Sequence, residues 1–293
     1  MGRVRLRILT VTALAATLLL PTTAAQAAGV KGAVFYRYTD TATVYRYLAG
    51  QGFTKTKVGG LSQFSAAPDG RKVAWIDLDG KVHVTVGGTD KVIGTGAVAG
   101  APCATPVWSA DSKRVAYPLM GTEGSAAIVV VNADGTGRKQ AGRTYGVCHL
   151  AWSANGRYLA GYAGTTQGVY LLDLVTGKSR KSAGIKLANH VQSLSPDGRK
   201  VIVHTIKPSD PGGDGGWPTW FPPTIVDTLT GAKVTVPVAG ALIGAIYLRD
   251  GRLAVRVKGK SHHTIVVLSR TLKRVASFPE PASVKNSGLL QVL

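Results

Sequence analysis

Beyond an apolar run near its N-terminus, the chain is written in short segments rich in Val, Ile, Leu and Tyr, separated by Gly, Asp, Asn, Thr and Lys. Such segments predict β-strands joined by turns, and no stretch carries the 3.6-residue period of a long amphipathic helix. One unit recurs. LSPDGRKVIV (194–203) reads as a strand, a tight Asp-Gly turn and a second strand. FSAAPDGRKVAWI (64–76), WSADSKRVAY (108–117), WSANGRYLAGY (152–162) and YLRDGRLAVRV (247–257) repeat it. The turn acid or amide falls at Asp69, Asp111, Asn155, Asp197 and Asp250, at spacings of 42, 44, 42 and 53 residues. Two further strand-like runs follow the turn units, as KVHVTV and KVIGTG follow VAWID.

Four strands per unit at this period is the arithmetic of a β-propeller. One four-stranded blade cannot bury both of its faces, whereas a closed ring of blades buries each against its neighbours. Five turns are explicit, and the chain ends supply a sixth blade. Three strand-like runs lie within 33–58, and SGLLQVL (287–293) offers the missing inner strand. The prediction is an all-β fold: a six-bladed β-propeller of four-stranded antiparallel blades, forming one domain over 28–293. The C-terminal strand completes the first blade and leaves no open edge at the seam.

The unit S-x-D-G-R/K-x-[VIL]-[AV], often with Trp or Phe before the Ser, resembles the TolB-like propeller repeat, a relative of the WD repeat. The resemblance covers nearly all of residues 28–293. Ser112 stands where the repeat has its turn Gly, and Arg249 stands near the expected Ser-Pro. The resemblance implies the fold more than a function. Members are often exported, and many bind proteins or cell-envelope components.

The N-terminus adds location. Arg3, Arg5 and Arg7 precede an apolar run of 13 residues, Ile8 to Leu20, which Pro21 ends. Ala25-Gln26-Ala27 then gives an A-x-A cleavage pattern, so residues 1–27 read as a secretory signal peptide. The run is shorter than the roughly 20 residues a membrane span needs. The expected mature protein is secreted, monomeric and without a transmembrane segment. Its formal charge is +17, since the signal removes three Arg and no acid from a total of +20. That charge implies nonspecific attraction to anionic wall polymers. No nucleic-acid motif accompanies it, so specific nucleic-acid binding is not expected.

Let the strands of a blade be A to D from the axis outward. The Asp-Gly turns (A–B) and the C–D turns then share one face, here the turn face. The B–C loops and D–A connections share the other, the loop face. Cys103 and Cys148 fall in consecutive D–A connections, and an even count in an exported chain predicts a disulfide between them. No Cys-x-x-Cys spacing suggests a metal, and no cofactor is expected.

The loop face holds the other candidate residues. The interval from Asp197 to Asp250 is longer by about ten residues, concentrated in KPSDPGGDGGWPTWFPP (207–223). Its Trp217, Trp220 and Phe221 stack on sugar rings or enter a partner protein on one reading, and cap the channel mouth on the other. His149, His262 and His263, with Glu123 and Gln167 in neighbouring B–C loops, are the polar candidates for contact with a ligand or partner. On the turn face, Arg71, Lys72, Lys113, Arg114, Arg157, Arg199, Lys200 and Arg252 make either a basic ring for an anionic polymer or simple partners of the turn acids.

No G-x-S-x-G, H-E-x-x-H or phosphate-binding Gly loop is present. The expected function is therefore an exported binding module for a cell-envelope protein or glycan, with no catalytic residues assigned. The alternative is a propeller lyase or hydrolase acting on acidic sugars at the channel mouth, which requires the histidines to converge with a carboxylate in one pocket.

Overall fold

The computed structural model describes residues 29–39, 41–59, 62–121, 124–210 and 215–293. The expected signal segment 1–27 and Glu123 lie outside the described residues. Blade 1 contains β1 (Gly32–Tyr38), β2 (Ala42–Leu48) and β3 (Gly52–Lys57). Blade 2 is β4 (Phe64–Ala66), β5 (Lys72–Ile76), β6 (Val82–Val86) and β7 (Thr89–Gly94). Blade 3 is β8 (Val107–Trp108), β9 (Arg114–Pro118), β10 (Ala126–Asn132) and β11 (Lys139–Thr144). Blade 4 is β12 (Cys148–Trp152), β13 (Tyr158–Tyr162), β14 (Val169–Asp173) and β15 (Ser179–Lys181), with one helical turn, α1 (Gly164–Gln167), in its B–C loop. Blade 5 is β16 (Ala188–Leu194), β17 (Lys200–Thr205), β18 (Thr224–Asp227) and β19 (Lys233–Val234). Blade 6 is β20 (Leu242–Tyr247), β21 (Leu253–Val257), β22 (Thr264–Leu268) and β23 (Arg274–Pro279). The last strand, β24 (Gly288–Val292), pairs antiparallel with β1 and supplies the inner strand of blade 1. This is the predicted six-bladed propeller with the predicted closure.

The ring closes through its inner strands, where β4, β8, β12, β16, β20 and β24 each contact the next and β24 contacts β4. Burial follows the same plan. The inner strand β12 is buried throughout, while the outer strand β3 is largely exposed. Six apolar clusters among the described residues each fill one seam between adjacent blades. Each blade thus hides its two faces against its neighbours, which is the source of the ring's stability.

The recurring turns have one geometry. In blades 3 to 5 the Ser hydroxyl donates to the turn side chain: Ser109 to Asp111, Ser153 to Asn155 and Ser195 to Asp197. That side chain then accepts the amide two residues on, at 2.9–3.1 Å in all five turns. The next residue takes positive φ, at Gly70, Gly156, Gly198 and Gly251 and also at Ser112 (φ 58°). The departure at Ser112 keeps the conformation, and its Oγ accepts the Asp69 amide of the neighbouring blade at 3.0 Å. No helix among the described residues is long and apolar enough to cross a membrane.

Candidate functional site: the axial cavity

The six inner strands enclose a cavity of about 750 Å³ along the axis. Leu150, Trp108, Ile246 and Leu290 give it apolar wall, and Gln192, Ser193 and Gln291 give it polar wall. Its mouth lies on the turn face, among Asp69, Asp111, Asp250, Arg249 and Lys31. Its other end is closed, and Trp217 is the residue of the long loop that lines it there.

The plug comes from residues 215–223 of the B–C loop of blade 5. Trp217 crosses the axis and joins the cluster at the seam of blades 1 and 2. Its Nε1 donates to the Phe64 carbonyl at 2.8 Å. Phe221 stays on the near side, in the cluster of blades 5 and 6. Both are buried, whereas Trp220 is 51% exposed. The capping reading thus describes Trp217 and Phe221, and Trp220 alone of the three faces solvent.

Two buried histidines complete the closed end. His149, on β12, sits in a bulge with φ 45° and stacks on Trp217 at 4.9 Å. His190, on β16, meets the Trp217 ring edge-on at 5.2 Å and the Phe221 ring at 4.8 Å. The two rings share a hydrogen bond, Nδ1 to Nδ1, at 2.7 Å. The Gln192 amide NH₂ faces the Leu289 carbonyl, so its Oε1 accepts from His190 Nε2 at 2.8 Å. His190 Nδ1 is then an acceptor, and His149 Nδ1 must donate to it. His190 is neutral in this arrangement, because a second proton, on its Nδ1, would set N–H against the His149 N–H. Burial, with the neighbouring His190, holds His149 well below its ordinary value. Burial holds His190 down at about 3, against the pull of its Gln192 bond.

Cys103 and Cys148 form the predicted disulfide beside this plug, with Cα atoms 4.7 Å apart. Cys148 is the first residue of β12, one position past the connection where the sequence places it. The His149 amide donates to the Cys103 carbonyl at 2.7 Å, so the staple also holds the bulge.

The remaining candidates stay on the loop face and apart from His149. His263 is buried, accepts the Gly259 amide and bonds the Lys285 carbonyl at 2.9 Å. His262 is half-buried beside the Ser261 hydroxyl, and Gln167 is exposed on α1. The three sequence-predicted histidines share no hydrogen-bond partner and do not meet at one carboxylate. Among the described residues no group of three or more His, Cys, Asp and Glu could hold a metal ion.

On the turn face, four of the eight basic turn residues hold carboxylates. Lys72 pairs with Asp69 at 2.8 Å, Arg157 with Asp173 at 2.8 Å, Arg199 with Asp227 at 2.6 Å and Arg252 with Asp250 at 2.7 Å. Lys72 and Arg114 also lie over the Trp108 and Trp152 rings of the next blade. These contacts account for Lys72, Arg114, Arg157, Arg199 and Arg252 without an anionic ligand. Burial works to raise the Asp111 and Asp197 carboxyls, but the Ser109 and Ser195 hydroxyls and the turn amides outweigh it and leave both lowered.

Sequence reasoning missed the cavity itself, with His190, Gln192 and Gln291. A signal was present: ANHVQSL (188–194) puts Asn, His, Gln and Ser into an inner strand, where a dry core has no place for them.

No family model matches the chain. Over 59 residues, 20% of this chain, it is 42% identical to the Tol-Pal system protein TolB of Francisella tularensis subsp. tularensis. Over the same length it is 40% identical to that of subsp. mediasiatica. The match spans 14% of the length of each of these relatives. Among solved structures, TolB from Acinetobacter baumannii superimposes with a TM-score of 0.53 at 15% identity, over 89% of this chain and 67% of that one. A protein assigned as TolB from Agrobacterium tumefaciens gives 0.51 at 10% identity, over 91% and 99%. At these identities the structural likeness speaks for the fold. Sequence segment and fold together fit a TolB-like propeller.

Proposed function

We propose that this protein is an extracytoplasmic interaction module that receives part of a cell-envelope protein in its axial cavity. One observation carries the reading: the cavity is closed at one end by Trp217 and open at the other, so it has one mouth and one wall chemistry. Apolar wall for side chains, Gln and Ser for main-chain groups and charged residues of both signs at the rim suit a protein segment. The likeness to a Tol-Pal system protein supports a protein partner, and the disulfide suits an oxidising compartment. No observation favours a lyase or hydrolase, because the histidines that reading needs lie apart.

The test compares wild type with Ala110→Trp, which fills the mouth from a half-exposed rim position. Immobilised wild type should retain one envelope protein that the filled variant releases. Equal retention by both would place the interaction elsewhere on the molecule and overturn the cavity reading.

A further inference from the structure

We propose that the loop face carries a second binding surface, for an acidic polysaccharide, built from Trp220, Lys258, Lys260, Lys285 and Arg37. Trp220 is 51% exposed although its loop neighbours Trp217 and Phe221 are buried, so closing the channel does not account for it. The Lys258 ammonium lies 5.3 Å from the Trp220 ring centroid. Lys260 shares the β21–β22 loop, and Lys285 donates to its carbonyl. Arg37, at the end of β1, binds the Ser283 carbonyl at 2.9 Å and the Ser287 hydroxyl at 3.2 Å, on either side of Lys285 in the chain.

These cations differ from those of the turn face. There, Lys72, Arg157, Arg199 and Arg252 each hold a carboxylate. Among the described residues, none of Arg37, Lys258, Lys260 and Lys285 does. The acid built into this region, Glu280, is buried and taken up by Arg256 through two contacts of 2.8 Å. His263 lies within reach of the Lys285 and Lys258 charges, which add to burial and the Arg256 charge in holding it below its ordinary range.

An exposed indole among uncompensated cations matches one kind of ligand well. A pyranose ring has an apolar face for the indole, and its carboxylate or phosphate groups meet the ammonium and guanidinium groups. A lipid surface asks instead for several apolar side chains to insert, but Trp217 and Phe221 beside Trp220 are buried, and the β21–β22 loop next to it offers Lys258, Lys260 and Ser261. The surface is independent of the axial cavity, whose mouth is on the opposite face.

The probe is polygalacturonate, titrated into the full mature chain at low and near-physiological salt, beside uncharged dextran, polyglutamate and phosphatidylserine vesicles. Wild type should bind polygalacturonate and leave dextran unbound. Trp220→Ala should weaken that binding about tenfold, and Trp220→Tyr should restore most of it. Binding of polyglutamate should not respond to Trp220→Ala. A triple Lys258/Lys260/Lys285→Gln variant should lose polygalacturonate at both salts, and unchanged melting temperatures certify the fold. Ala110→Trp should bind polygalacturonate like wild type, so failure here and failure of the cavity reading are separable. The proposal is overturned by tight binding that ignores Trp220→Ala, or by vesicles or polyglutamate binding as tightly as the glycan.

Discussion

At the residue scale, the chain keeps charge out of its axis. The His149–His190 pair is neutral, and its pH response has a definite sign. Below about pH 6.5 the unfolded chain protonates both histidines, while in the fold His190 resists down to about 3 and His149 is likewise depressed. The unfolded state therefore binds more protons across that window, and stability falls as pH drops through it. The slope is at most about 1.4 kcal/mol per pH unit for each histidine. Denaturant midpoints at pH 7 and pH 5 check this. A His149→Phe/His190→Leu variant should lose much less on acidification than wild type, and an equal loss would deny the pair this role. Arg256 is the exception that shows the rule. It is fully buried, but Glu280 holds it with two contacts of 2.8 Å and the Ser287 carbonyl adds a third at 2.9 Å. Burial raises the Glu280 carboxyl, and the guanidinium opposes that rise.

At the scale of elements, the turns and strands were legible because their determinants are local. An Asp or Asn that caps its own turn, a residue tolerant of positive φ, and β-branched runs on either side need no distant partner. The disulfide was legible for a related reason: equal positions in consecutive repeats are neighbours in space. The course of residues 215–223 was not legible, because Trp217 is fixed by the Phe64 carbonyl and the His149 ring, which are distant in sequence. His190 and Gln192 were hidden because a cavity-facing inner strand reads as an ordinary core strand until six blades close around it. The plug carries its own prediction. Trp217→Ala should cost about 3–5 kcal/mol, as the loss of a large buried aromatic does. It should also convert the closed cavity into a through-channel, visible in a crystal structure of the variant. A stable variant with the closed end intact would mean that the other loop residues suffice.

At the scale of the whole molecule, the ring divides its labour between two faces. The turn face pairs Lys72, Arg157, Arg199 and Arg252 with carboxylates and opens the cavity, while the loop face closes the cavity and leaves Lys258, Lys260, Lys285 and Arg37 without one among the described residues. Closure through β24 joins the first and last strands, so the seam between blades 6 and 1 is an ordinary blade interface with its own apolar cluster. Charge and the TolB-like fold are compatible with several partners, and the cavity selects among the protein ones. The most direct measurement places the photocrosslinker benzoylphenylalanine at Arg249, on the cavity rim, and separately at Lys233, on the exposed outer strand β19. Irradiation of cells producing each protein should yield one discrete protein adduct from position 249 that disappears when Ala110→Trp fills the mouth, and no such adduct from position 233. An adduct from 233 alone, or one from 249 that survives the filled mouth, would contradict the axial cavity as the partner site.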